Sequence, residues 1–389
     1  MQVFHSKSKI TITCNKRLSP YLAQEVEDLG YTPTRVFSTG VELEGTLTDC
    51  IPLNLNLRCA SQVMYSLKSF EAENPARLYK ELLEIPWEEL IDFTGYFSVS
   101  SNVNNEHITT PLFANLKVKD AIVDRIKDKK GMRPNSGSEQ NKAAVYLYWQ
   151  ENTAEVFIDT SGETLAKHSY RKIPGKAPML EALAAGTLMA TKWDKQSAFV
   201  NPMCGSGTLA IEAALLATNR SPGLFRMNYA FMHIMGYDEQ VFFAERRKLK
   251  DQVNKKADLK IIATDISEDA VDIAKRNAKT AGVDQLIDFQ VCDFAETPVP
   301  ETGGVVLFNP EYGERLGVHT KLEATYKRIG DFMKKECKGY HGYIFTGNPD
   351  LAKKIGLRAS RRIEFYNGKL DCRLLEYELY EGTRREEQL

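Results

Sequence analysis

The sequence has no run of 18 consecutive apolar residues, so it offers no helix able to span a bilayer. Its first residues, MQVFHSKSKITITC, lack the apolar stretch of a secretory signal. There is no C-x-x-C pair and no histidine at ligand spacing from a cysteine. The seven cysteines (Cys14, Cys50, Cys59, Cys204, Cys292, Cys337 and Cys372) are scattered and odd in number. That pattern argues for reduced thiols in a cytoplasmic protein and against a disulfide framework or any zinc or iron–sulfur site, so no metal is expected. A surplus of charge is also missing: 51 basic residues face 52 acidic ones, for a formal net charge of −1. A chain-wide attraction to nucleic acid is therefore absent, and any such contact has to come from local patches. Low-complexity tracts and internal repeats are absent too.

What is present is a chain of 389 residues, 43% hydrophobic and 26% charged, which is too long for one core and predicts two or three domains. Up to about residue 160 the pattern alternates short strands and helices. KITITC is a strand, and Ser19-Pro20 opens a helix that Gly30 ends. SQVMYSLKSF, YFSVSSNV, AAVYLYW and AEVFIDT read as strands, with helices at ARLYKELLEI and KVKDAIVDRIKDK. Such short alternation predicts small α+β layers. From about 178 the units lengthen into strand–helix repeats built on AFVNP, IIATDI, IDFQVCD, GVVLF and GYIFTG. This predicts an α/β, mostly parallel, doubly wound sheet whose ligands bind at the carboxyl ends of its strands. Residues 219–258 read as a polar, charge-rich insertion, with ERRKLKDQVNKK as a solvated helix.

Every chemically suggestive motif follows one of those strands. Asn201-Pro202-Met203-Cys204-Gly205-Ser206-Gly207-Thr208 stands between an apolar strand and a long helix. Its glycines let the backbone turn sharply and approach a nucleoside, and the helix start adds N–H groups. Asp265 ends the next strand, where an acid accepts hydrogen bonds from both ribose hydroxyls of an adenosine cofactor. Asp293 ends the third, where an adenine amino group would lie. Asn309-Pro310-Glu311-Tyr312-Gly313 follows the fourth and decides the class. An amino group on a base is a poor nucleophile because its lone pair is conjugated with the ring. An Asn side-chain oxygen and the next backbone carbonyl can accept its two hydrogens and favour a pyramidal nitrogen. Tyr312 can stack on a base that has left its helix, and Pro310 fixes the loop. The donor this chemistry calls for is the activated methyl of S-adenosylmethionine.

Together these motifs resemble the amino-directed methyltransferases, and more closely the large-subunit ribosomal RNA guanine-N2 methyltransferases that carry an N-terminal THUMP domain. The stretches that carry the resemblance are DTSGETLAKHSYR (159–171), KAPMLEALAAG (176–186), NPMCGSGTLAIEAA (201–214), ATDIS (263–267) and FNPEYGERL (308–316). The resemblance implies a ferredoxin-like segment over 1–65, a THUMP domain over 66–160 and a Rossmann-like class I methyltransferase domain over 165–389. It implies Asn309, Pro310 and Tyr312 as catalytic residues. S-adenosylmethionine would be held by Pro202, Cys204, Gly205, Gly207, Thr208, Asp265, Ile266, Asp293, Phe294 and Asn309. Two positions depart from the family pattern: Glu311 stands where a second proline is usual, and Asn201 where an Asp is usual.

The implied partner is 23S ribosomal RNA or a pre-ribosomal particle, with no membrane; oligomeric state is left open, with a monomer favoured. Candidate RNA contacts are Lys129, Lys130 and Arg133 in the basic stretch 117–133, where Val118, Ala121, Ile122 and Ile126 would face inward. A second patch is Lys167, His168, Tyr170, Arg171 and Lys172, and a weaker third is Lys353, Lys354, Arg358, Arg361 and Arg362. An adenine-N6 methyltransferase shares the Asn-Pro-x-Tyr loop and stays as an alternative. An NAD-dependent oxidoreductase is remote, because Asp265 lies 60 residues after Gly205 where about 20 are expected. An inactive transferase fold that only binds RNA is the reading left if Glu311 abolishes turnover.

Overall fold

The computed structural model describes residues 3–106, 108, 110–173, 178–255, 257–312 and 319–380. Two compact units emerge. The first comprises the chain up to Cys14, Leu22–Ala166 and Pro222–Asp251; the second comprises Asn15–Tyr21, Lys167–Ser221 and the chain from Gln252 onward.

The first unit is built on one sheet of β1 (Lys7–Cys14), β2 (Pro33–Phe37), β3 (Gly40–Thr46), β4 (Ala60–Glu71), β5 (Tyr96–Asn104), β6 (Asn135–Gly137), β7 (Ala143–Gln150) and β8 (Thr153–Asp159). Their order is β2-β3-β1-β4-β8-β7-β5-β6. Its helices include α1 (Ser19–Asp28, whose first residues belong to the second unit), α2 (Cys50–Asn56), α3 (Pro75–Leu83) and α4 (Pro111–Lys130). α4 buries Ala114, Val118, Ala121, Ile122, Val123 and Ile126, the apolar face its spacing predicts. Gly131 ends it in the left-handed conformation at φ 71°.

The second unit carries α5 (Glu181–Met189) and α6 (Thr208–Ala217), while α7 (Glu239–Asp251) is part of the first unit. α8 (Glu268–Ala281), α9 (His319–Glu336) and α10 (Pro349–Lys353) complete the second. Its sheet contains β9 (Ala198–Pro202), β10 (Ile261–Asp265), β11 (Ile287–Val291), β12 (Gly304–Phe308), β13 (Tyr340–Thr346), β14 (Arg361–Asn367) and β15 (Leu370–Glu378). The order is β11-β10-β9-β12-β13-β15-β14. The five strands from β11 to β13 pair in parallel, and β15 and β14 add an antiparallel hairpin at one edge. Strand order runs one way from β9 to β11 and the other from β12 to β13. The crevice beyond the ends of β9 and β12 is thus the switch point where such sheets bind ligands. Phe294, Phe308 and Phe332 meet edge to face in the core below it, with ring centroids 6.0–6.4 Å apart.

The sequence predicts a polar insertion over 219–258 with a solvated helix at ERRKLKDQVNKK; instead, Pro222–Asp251 packs into the first unit. α7 buries Phe242, Arg246 and Leu249. The Arg246 guanidinium donates to the carbonyls of Gly223, Leu224 and Arg226 at 2.8–3.2 Å, so its buried charge is met by three carbonyl acceptors. A Cβ at Gly223 would lie 2.4 Å from the Leu55 carbonyl oxygen, which makes the site one only glycine fits. Arg226 donates to the carbonyls of Ser161 and Glu163 at 2.7 Å, clasping the turn after β8. Within that turn Asp159 accepts from the N–H groups of Ser161 and Gly162. Burial raises its pKa to about 6.

Candidate active site

The turn after β9 is wound as its glycines demand. Met203, Gly205 and Gly207 all have positive φ, at 58°, 55° and 79°. A Cβ at Gly207 would meet the Ala274 Cβ of α8 at 2.8 Å, so this second glycine also permits α6 and α8 to approach. Asn201, at the end of β9, is buried and donates from Nδ2 to the Leu307 carbonyl of β12 at 2.8 Å. An Asp there would have no proton to give to that carbonyl. Burial pushes the Cys204 thiol far above its ordinary range, which leaves it a packing group and not a nucleophile.

Asp265 joins two of the motifs. Its Oδ2 accepts from the Gly205 N–H at 2.9 Å and its Oδ1 from the Ser267 N–H at 3.0 Å. Ile266 beside it is 74% exposed, an apolar side chain displayed at the end of β10. Asp293 Oδ1 accepts from Ala295 N–H at 2.9 Å and from Arg328 at 2.7 Å. Burial works against ionisation of this carboxyl, but those two donors hold it below its usual range. The same guanidinium lies 4.7 Å over the Phe294 ring.

Asp265, Ile266, Asp293, Phe294 and Pro310 line one cavity of about 350 Å³. Four of the expected cofactor residues and one catalytic residue therefore converge. Pro202, Cys204, Gly205, Gly207 and Thr208 form the adjoining turn without lining the cavity. Met203, Glu311, Lys321, Leu322, Thr325 and Arg328 line it as well, and the sequence reading did not include them. A signal for the last four existed: 321, 322, 325 and 328 recur at helical spacing, which puts them on one face of α9.

The loop after β12 is braced from behind. Tyr312 donates from its hydroxyl to Asn309 Oδ1 at 2.5 Å, and its ring is tilted against Phe345 at 6.3 Å. From the sequence this ring is expected to stack on a base. Here it is half-buried, and burial raises the hydroxyl's pKa far beyond the ordinary tyrosine range. The Tyr326 hydroxyl donates to the Glu311 carbonyl at 3.3 Å, and Asn348 Nδ2 donates to the Tyr312 carbonyl at 3.1 Å. The family stretch continues through Gly313, Glu314, Arg315 and Leu316, which lie outside the described residues, as do Lys176 and Ala177 of the earlier stretch.

Of the expected RNA contacts, Lys129, Lys130, Arg133, Lys167 and Lys172 are exposed. Arg171 is a correction: its guanidinium pairs with Glu181 at 3.1 Å, donates to the Met179 carbonyl at 2.6 Å and is 10% exposed. Its neighbours in that patch are corrected too. His168 is buried with its Nδ1 2.7 Å from Glu212 Oε1, and Tyr170 is fully buried. Three members of the third patch are spent on carboxylates, Lys353 on Asp350, Lys354 on Glu323 and Arg361 on Glu376. Among the described residues no cluster of three or more His, Cys, Asp or Glu side chains is arranged to hold a metal. None of their helices is long and apolar enough to cross a membrane.

Residues 168–376, more than half of the chain, match the RMKL-like methyltransferase domain. The chain belongs to the RMKL-like methyltransferase family. Residues 9–64 match the RlmL ferredoxin-like domain and 72–159 the THUMP domain, so both precede the class I methyltransferase fold. The chain is 34% identical over 383 residues to the Ribosomal RNA large subunit methyltransferase K/L of Syntrophotalea carbinolica, covering 96% of this chain and 54% of that protein. It spans about half the length of the curated relatives it matches. Among solved structures, one from Listeria monocytogenes named as a predicted N6-adenine-specific DNA methylase is 29% identical with a TM-score of 0.87. The similarity covers 96% of this chain and 97% of that one. A protein designated SMU.472, named as a putative methyltransferase and solved in complex with SAH, is 25% identical with a TM-score of 0.87, covering 97% and 99%.

Proposed function

We propose that this member of the RMKL-like family transfers the methyl group of S-adenosylmethionine to an exocyclic amino group of a base in ribosomal RNA, guanine N2 of 23S rRNA, in the cytoplasm. The observation that carries the reading is the cavity that runs from Asp265 and Asp293 to Pro310. Its lining brings the acidic ends of β10 and β11 together with the Pro310 loop, which supports an adenosine-type cofactor beside hydrogen-bond acceptors. The name of the Syntrophotalea relative supports the RNA substrate, the SAH of SMU.472 supports the cofactor, and the THUMP match supports RNA contact.

The residues present suit that cofactor. Asp265 and Asp293 supply acceptors for ribose hydroxyls and an adenine amino group, and Ile266 supplies an apolar face for the ring. Asn201 Oδ1 is buried without a hydrogen-bond partner among the described residues, an acceptor left over at the end of β9. When bound, S-adenosylmethionine supplies an electrophilic methyl on a sulfonium, so the chain need not supply a strong base. Asn309 Oδ1 and the Pro310 carbonyl accept the two amino hydrogens and turn the nitrogen lone pair out of conjugation. Pro310 is buried and fixes the loop; Glu311 is exposed and leaves both acceptors in place. Exposed Lys129, Lys130, Arg133, Lys167 and Lys172 contribute phosphate contacts.

The test is transfer of labelled methyl to 23S rRNA from cells lacking the gene, followed by mass spectrometry of the nucleosides. N2-methylguanosine is expected with the wild type. Asn309→Ala should lower the rate by about 10²–10³, because its oxygen acts where positive charge develops. The Listeria relative's name favours a second reading, since the same two acceptors serve adenine N6; N6-methyladenosine as the product would establish it. Absence of transfer to any RNA, with the cofactor bound, would overturn both.

A further inference from the structure

Among the described residues, no donor reaches the Pro310 carbonyl, whereas the two carbonyls after it, of Glu311 and Tyr312, are both taken. Tyr326, fully buried on α9, donates to the first and shares its hydroxyl with Thr346 Oγ1 at 2.9 Å. Asn348 takes the second with Nδ2. Its other amide atom, Oδ1, accepts from the N–H groups of Asp350 and Leu351 at 3.1 Å and so caps α10. The helix N–H groups require an oxygen on that side, so the NH₂ must point at the loop. The cap dictates the orientation of the brace. Asn348 is tied in further through its backbone N–H, which donates to Thr346 Oγ1 at 3.1 Å.

We infer that Asn348, assisted by Tyr326, is a positioning residue for methyl transfer: it ties back the carbonyl of Tyr312 and so holds the Pro310 carbonyl and Asn309 toward the acceptor amino group. This rests on the function proposed above. A one-atom change separates the two duties of the side chain. Asn348→Asp keeps an oxygen for the α10 cap, where Asp and Asn serve about equally. It replaces the donor to Tyr312 with a carboxylate oxygen that repels the carbonyl. Asn348→Ala removes cap and brace together.

The experiment measures single-turnover methyl transfer to rRNA, the S-adenosylmethionine Kd and the thermal midpoint for the wild type and both variants. Fluorotyrosine at position 312 reports the loop directly by ¹⁹F NMR. Asn348→Asp should slow transfer by about tenfold or more with Kd unchanged, and its midpoint should fall less than that of Asn348→Ala, because the α10 cap is kept while one acceptor is left unpaired. Its ¹⁹F resonance should shift. Asn348→Ala should lose rate and midpoint together, and Tyr326→Phe should show a smaller loss of rate through its longer bond. Wild-type rate and an unmoved resonance in Asn348→Asp would overturn the inference. So would a midpoint lowered as far as in Asn348→Ala, since Asn348 would then serve only stability. A resonance that moves in a chain whose wild type transfers no methyl would uphold the brace and reject the proposed function.

Discussion

Replacing Tyr312 by Phe removes one oxygen atom and tests how the reactive amide is aimed. An amide oxygen carries two lone pairs. One accepts the Tyr312 hydroxyl, and the second remains for an amino hydrogen of the substrate base. The hydroxyl therefore acts as an orienting group that keeps Oδ1 where the base will meet it. A neutral hydrogen bond has a net value of about 0.5–1.5 kcal/mol, so losing it should lower the population of correctly oriented amide by roughly 2- to 12-fold. The phenyl ring can keep its place against Phe345, and the fold should be untouched. Single-turnover methylation at saturating cofactor and saturating RNA isolates the step, and a rate reduced within that range with unchanged RNA KM is the expected result. A wild-type rate with a lowered KM would refute the reasoning, because the hydroxyl would then be competing with the base for Asn309.

Asp265→Ala should weaken S-adenosylmethionine binding by about tenfold or more in calorimetry, since a charged acceptor is lost together with its hold on the Gly205 N–H. Charge reversal at Lys129 and Lys130 should weaken RNA binding and flatten its salt dependence in filter-binding titrations. Arg171→Glu should lower the thermal midpoint instead, since that guanidinium faces Glu181. The Asp159 carboxyl titrates near 6 in the folded chain against 3.8 for an exposed one. Between those values the folded chain keeps a proton that the unfolded chain has released. Stability should therefore be greatest at the acid end of the window and fall by up to about 3 kcal/mol as pH rises through 6. Chemical denaturation across that range should show the slope in the wild type and its loss in Asp159→Asn.

The strand-end motifs were readable as positions because each stands where an open α/β sheet ends its strands. Asp265, Asp293 and the Asn309 loop stand at the ends of strands whose apolar runs are plain in the sequence. The β14–β15 hairpin was not: Arg361, Arg362, Glu364 and Glu376 break its alternation, and Arg361 meets Glu376, and Glu364 meets Arg373, only once the strands pair. Glu376, wholly buried, is an example, because it is held by Arg361 and Lys192. Arg171 misled for a related reason. A basic residue among Lys167, His168 and Lys172 looks like a phosphate contact until Glu181, ten positions on, turns out to face it. The role of Tyr312 depends on Phe345 and Asn348, which lie more than 30 residues away, and no local pattern encodes that contact.

The segment Pro222–Asp251 has a consequence for how the molecule is made. The chain completes the eight strands of its first sheet by residue 159, yet the side chains of Phe242, Arg246 and Leu249 that finish the first unit arrive some 80 residues later. On a translating ribosome, the first unit has to wait with that surface uncovered until residue 251 has left the exit tunnel. By then β9 and α6 of the second unit have already emerged ahead of it. Neither unit can be released by a single cut. A chain begun at residue 165 would keep α7 but lack the Leu55 backbone on which Gly223 rests, and it should aggregate through its exposed apolar face. Maturation is therefore interleaved, and a ribosome that pauses between residues 222 and 251 would leave both halves unfinished.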